Sequence, residues 1–149
     1  AVTNAEGKDT AREVEILVVD IEEYAVNQVG SGGRQVWLAN PALAWANSID
    51  PLPRMSVPPG ATRYVDIGCW VQEARVAQVN LRLSVVPTPN SNRHLLPPSG
   101  WRLRLAATMR NGDATYWDAR VSFESTTSQG FASLAKLKAE VEEISSVKA

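Results

Sequence analysis

Between Gly100 and Phe123, apolar and polar side chains alternate with a period of two around a break at Asn111-Gly112. Trp101, Leu103, Leu105 and Ala107 fall on one side of the first segment, with Arg102, Arg104 and Thr108 on the other. Trp117, Ala119, Val121 and Phe123 repeat the pattern in the second segment. Successive residues of a strand point to opposite faces, so this pattern predicts an antiparallel hairpin with one dry and one wet face. Asn-Gly suits its turn, because both residues tolerate the left-handed backbone of two-residue hairpin loops. The dry face then needs a second layer to bury it.

The rest of the chain supplies candidates for that layer. Glu13 to Ile21 reads as a strand with a blurred alternation: Val14, Ile16 and Val18 lie on one side and Leu17, Val19 and Ile21 on the other, which suits a strand covered on both faces at its second half. Arg34 to Asn40 is a short strand. Pro41 to Pro59 carries five prolines and reads as irregular chain with at most one short edge strand, at 44–46 or 54–57. Pro58-Pro59-Gly60 sets a turn. Arg63 to Val71 and Val79 to Val86 are further strands, with Val65, Ile67, Cys69 and Val71 sharing one face of the first. Pro87 to Ser99 holds four prolines and the single histidine, and reads as a surface loop.

About seven strands without alternating helices predict an all-β sandwich. From Phe131 the spacing changes. Phe131, Leu134, Leu137, Val141 and Ile144 recur at helical intervals, predicting a C-terminal amphipathic α-helix that docks on the domain or on a copy of it. The expected organisation is a flexible linker at 1–12, a sandwich at 13–124, and a linker plus helix at 125–149.

The segments Leu43-Ala44-Trp45, Val57-Pro58-Pro59-Gly60, Arg63 to Ile67, Leu83 to Pro87, Gly100 to Leu105 and Tyr116 to Phe123 together resemble an immunoglobulin-like β-sandwich domain of uncharacterised bacterial proteins. The resemblance spans roughly residues 13–124 and rests on turn and core positions. Such domains often follow predicted transmembrane helices, so it implies a bacterial module with a membrane tether outside this chain. It brings no active site. The chain opens on Ala1 rather than methionine, as expected for a processed product or a piece cut from a longer protein.

Charge and composition narrow the function classes. With 15 Lys+Arg against 16 Asp+Glu, the chain has no excess of positive charge with which to hold a nucleic-acid backbone. Cys69 is the one cysteine, and its place among apolar neighbours suggests a buried thiol. Neither it nor His94 has metal-ligand spacing or a nucleophile motif around it. Asp66 is expected to accept hydrogen bonds from the preceding turn. No catalytic residue, cofactor or metal is therefore expected. The reading is a non-enzymatic accessory or protein-interaction module that binds a protein partner or itself, with a small-molecule ligand not expected. The alternative is a glycan- or peptide-binding sandwich using Trp37, Trp45 and Trp70 as aromatic platforms.

Overall fold

The computed structural model describes residues 1–5, 7–24, 35–36, 40–46, 53–73 and 77–144. In chain order the strands are β1 (Val2–Thr3), β2 (Ala11–Tyr24), β3 (Gln35–Val36), β4 (Ala42–Leu43), β5 (Met55–Val57), β6 (Thr62–Arg63), β7 (Gly68–Glu73), β8 (Gln78–Leu83), β9 (Val85–Val86), β10 (Leu95–Leu96), β11 (Gly100–Met109), β12 (Gly112–Ser128) and β13 (Phe131–Ile144). Every pairing is antiparallel. A large sheet runs β13-β12-β11-β2-β4-β9, with β3 and β5 also attached to β2. A three-stranded sheet runs β10-β8-β7, and β1 pairs with β6.

The β11–β12 hairpin forms with the expected faces. Its register sets Trp101 opposite Val121, Leu103 opposite Ala119 and Leu105 opposite Trp117. Trp101 and Leu103 are fully buried, among Ile16, Val18 and Ile21 of β2, Leu81 and Leu83 of β8, and Leu96 of β10. The turn works differently from the expectation. Arg110 and Asn111 form the loop, since Met109 pairs with Gly112, and neither Asn111 nor Gly112 has a positive φ. Asn111 instead uses its side chain, accepting from Arg12 N at 3.0 Å and donating to Thr10 O at 3.0 Å, which staples the loop to β2.

The blurred alternation of β2 has a different cause from two-sided cover. Against β11, Arg104 pairs with Asp20 but Leu105 pairs with Val18, so Val19 is an extra residue. A bulge of this kind shifts the phase of every later side chain. Val14, Ile16 and Val18 are therefore buried before the bulge and Ile21 after it, while Leu17 and Val19 are only half-buried.

At the N-terminus, the stretch expected as a flexible linker contains β1. Asn4 donates its side-chain amide to Val57 O (2.9 Å) and Asp9 O (2.8 Å), anchoring it beside the Pro58-Pro59-Gly60 turn. That turn forms as expected: Ala61 N donates to Pro58 O at 3.0 Å, and Gly60 takes a φ of 69°.

The C-terminal helix is overturned. Phe131 to Ile144 is strand β13, paired with β12 at twelve positions from Tyr116–Ile144 to Ser128–Phe131. Gln129 (φ 52°) and Gly130 (φ 80°) form the two-residue loop, with the left-handed pair of a type I′ turn. Helix propensity is a weak prior, and a long antiparallel ladder overrides it. One irregularity interrupts that ladder between Ser122 and Glu124, where Lys136 (φ 51°) is accommodated. Beyond it the hairpin tip folds toward the small sheet. Ser125 Oγ accepts from Val79 N at 2.9 Å, Thr127 Oγ1 donates to Ala77 O at 3.1 Å, and Gln72 Nε2 donates to Ala132 O at 2.8 Å.

Candidate functional site

Three regions concentrate the residues on which function can rest: a polar cavity, the charged face of the large sheet, and the outer edge of β13, on which no further strand pairs among the described residues.

The cavity, of about 690 Å³, is lined by Trp45, Asp66, Cys69, Arg82, Ser84, Thr88 and His94 among others. Backbone bonds between distant segments bring these together: Asp66 N donates to Ala44 O, Ser84 N to Ile67 O, and Ala44 N to Ser84 O. Gly68 lies so close to β8 that an added methyl would run into the Arg82 carbonyl. Cys69 is therefore held opposite Arg82, whose Nη2 donates to Cys69 Sγ at 3.5 Å. The thiol is exposed, a correction to the buried position expected from its apolar neighbours in sequence.

His94 is corrected in the opposite direction. It sits in the short 3-10 turn Asn92–His94 and is buried, not solvated. Its Nδ1 lies 3.1 Å from Ser91 O. A carbonyl can only accept, so Nδ1 carries a proton and donates it to Ser91 O. Asp66 is exposed, and it is its backbone N–H that is engaged. Cys69 and His94 thus have separate partners, and the hydrogen bond that would join a nucleophile to its base is not among the described contacts. Among the described residues, no group of three or more His, Cys, Asp or Glu is arranged to hold a metal ion. The cavity offers a cation, a carboxylate, a thiol, hydroxyls and an imidazole around the wall of Trp45, a lining that can hydrogen-bond a small polar ligand.

On the face of the large sheet away from the core, two rows of charge cross the strands. One holds Glu22, Arg102, Arg120 and Glu140, and the other Asp20, Arg104, Asp118 and Glu142. Arg102 Nη2 contacts Glu22 at 2.6 Å and Asp20 at 3.0 Å, and Arg104 pairs with Asp118 at 3.0 Å. The Asp118 hydrogen bond raises the Arg104 guanidinium above its ordinary value. Asp20, Glu22, Arg102, Arg104 and Asp118 of this face are thus paired within the chain, while Arg102 Nε is buried without a hydrogen-bond partner among the described residues.

The tryptophans form no shared platform among the described residues. Trp45 is buried, with Nε1 donating to Pro53 O at 3.2 Å. Trp70 is 40% exposed and meets Phe123 edge-on, ring centres 4.9 Å apart. Trp37 lies outside the described residues. The five residues assigned to the helix face separate once the segment is a strand. Leu134 packs against the core, Val141 lies across the ladder from Ala119, and Ile144 pairs with Tyr116 on the opposite face. Phe131, Leu137 and Val141 are exposed.

No helix among the described residues is long and apolar enough to cross a membrane. Compared with known proteins, the chain matches no family model, no curated protein and no solved structure.

Proposed function

We propose that this chain is a non-enzymatic protein-interaction module whose recognition element is the open edge of β13. The observation that carries this reading is the position of β13: it ends the large sheet, runs for 14 residues, and leaves Val141 63% exposed. An edge strand presents unpaired N–H and C=O groups, and an extended segment that pairs with them gains a ladder of hydrogen bonds. The opposite end of the sheet, β9, has only two residues and offers far less ladder. The resemblance of residues 13–124 to immunoglobulin-like sandwiches bears on the fold rather than on this edge; with it goes the proposal that the chain is a module of a larger bacterial, membrane-tethered protein.

A photo-crosslinking residue at Val141 tests this. The expected result is a crosslinked protein product at Val141 that is absent when the crosslinker replaces Tyr64, which is equally exposed at 62% but off the edge. No product at Val141 refutes the reading.

The cavity supports a second reading, as a ligand-binding sandwich in which glycan or peptide recognition moves from the tryptophan rings to the pocket of Arg82 and His94. Because Trp45 lines that pocket, saturable quenching of its fluorescence by oligosaccharides or short peptides, lost in His94→Ala, is the outcome that favours it.

A further inference from the structure

We infer that the strand completing β13 is β13 of a second copy of this chain, paired antiparallel about a two-fold axis at Ala139; this rests on the open edge being the recognition element. The argument is the order of charges along the edge. With Ala139 opposite its own symmetry mate, Lys138 faces Glu140 and Leu137 faces Val141, and each pair occurs twice. Opposed residues of an antiparallel ladder share a face. Lys138 and Glu140 lie on the charged face, opposite Ser122 and Arg120 of β12, so their ion pairs extend the row of Glu22, Arg102 and Arg120. Val141 lies on the other face with Ala119 and Leu103, so the Leu137–Val141 pairs extend the apolar face.

Neighbouring registers lack this match. Centred on Lys138 the axis opposes two lysines, centred on Glu140 it opposes two glutamates, and centred on Val141 it sets Glu140 against Glu142 twice. Like charges directly opposite one another disfavour pairing. Two features also confine the contact to the second half of the strand. The left-handed backbone at Lys136 breaks the ladder, and Gln72 already occupies the Ala132 carbonyl. Both are edge-protecting devices, and the segment from Leu137 onward has neither.

Sedimentation equilibrium of the full chain tests the inference, with Lys138→Glu, Glu140→Lys, the double exchange, and Val141→Lys, each checked for folding by circular dichroism. The wild type is expected to dimerise, each single reversal to weaken the dimer roughly tenfold, and the double exchange to recover most of the loss. Val141→Lys, at a position already exposed in the monomer, is expected to weaken the dimer without unfolding the chain. A wild type monomeric at every concentration overturns the inference, as does a dimer indifferent to the single reversals or one the double exchange leaves unrepaired. The two readings fail separately. A monomer whose Val141 crosslinks only to a different protein removes self-pairing and keeps the open edge, whereas no crosslink to any protein removes both.

Discussion

Substituting Gly130→Ser separates a strand from a helix at residues 131–144, because the two predict opposite signs. In the hairpin Gly130 has a φ of 80°, and a Cβ placed there meets nothing within 4 Å, so the cost is one of backbone alone. A left-handed conformation costs a non-glycine residue about 1–2 kcal/mol. Restricting the unfolded chain returns about 0.4–1 kcal/mol. The net loss is about 1 kcal/mol, a fall of about 2–4 °C in Tm for a domain of this size. Were Phe131 the start of a helix, the introduced serine would be its N-cap and would add a few tenths of a kcal/mol over glycine. Equilibrium guanidinium denaturation followed by circular dichroism reads the difference. Unchanged or raised stability in Gly130→Ser, with a helical minimum near 222 nm, refutes the hairpin and with it the open edge.

Other substitutions test the core, the charged face and the cavity. Leu103→Ala, fully buried between β2 and β12, is expected to cost about 3 kcal/mol by denaturant unfolding, and a loss below about 1 kcal/mol would contradict its central place. Arg104→Met strands the buried Asp118 carboxylate and is expected to cost about 2 kcal/mol. A raised pKa contributes stability at every pH below the unfolded value and loses it only as pH climbs through the folded one; for a guanidinium both lie far above neutrality. The Arg104→Met cost should therefore be constant from about pH 7 to about pH 9, and a slope in that window would point to another titrating group. Cys69, exposed at the cavity mouth, is expected to react with a thiol reagent in the native state, and full protection until unfolding would contradict its placement.

The parts of the fold legible in sequence are those where one rule acted alone. The alternation of Trp101 to Ala107 and of Trp117 to Phe123 has a single phase, and the register keeps both sets on the core face. In β2 the same rule is reset at Val19, so residues of one buried face read as two, and only the pairing with β11 reveals the extra residue. Phe131 to Ile144 misleads for another reason. Its Ala, Leu, Lys and Glu residues favour a helix locally, while what determines it is a non-local ladder with β12, signalled in sequence only by Gln129-Gly130. The cavity leaves no local signal at all. Asp66, Cys69, Arg82 and His94 come from separate stretches, and cross-links such as Ser84 N to Ile67 O are tertiary facts.

The features that disguise β13 in sequence also suit it to an edge. A long, flat, apolar edge strand pairs indiscriminately, and natural sheets avoid this with charges, bulges and poor strand formers. β13 has all three: Lys138, Glu140 and Glu142 on one face, a left-handed residue at Lys136, and an Ala-, Lys- and Glu-rich composition. Uniform charge would repel a copy of the strand itself. Lysine followed by glutamate about Ala139 instead penalises strands whose charges do not match, while the antiparallel copy meets opposite charges at Lys138 and Glu140 on both sides of the axis. Selectivity then lies in the order of those two residues rather than in the apolar area they flank. Exchanging both keeps composition, net charge and hydropathy constant, so the double variant should pair with itself yet fail to pair with the wild type. Mixed dimers of the two at the statistical proportion would show that the order of charges does not select the partner.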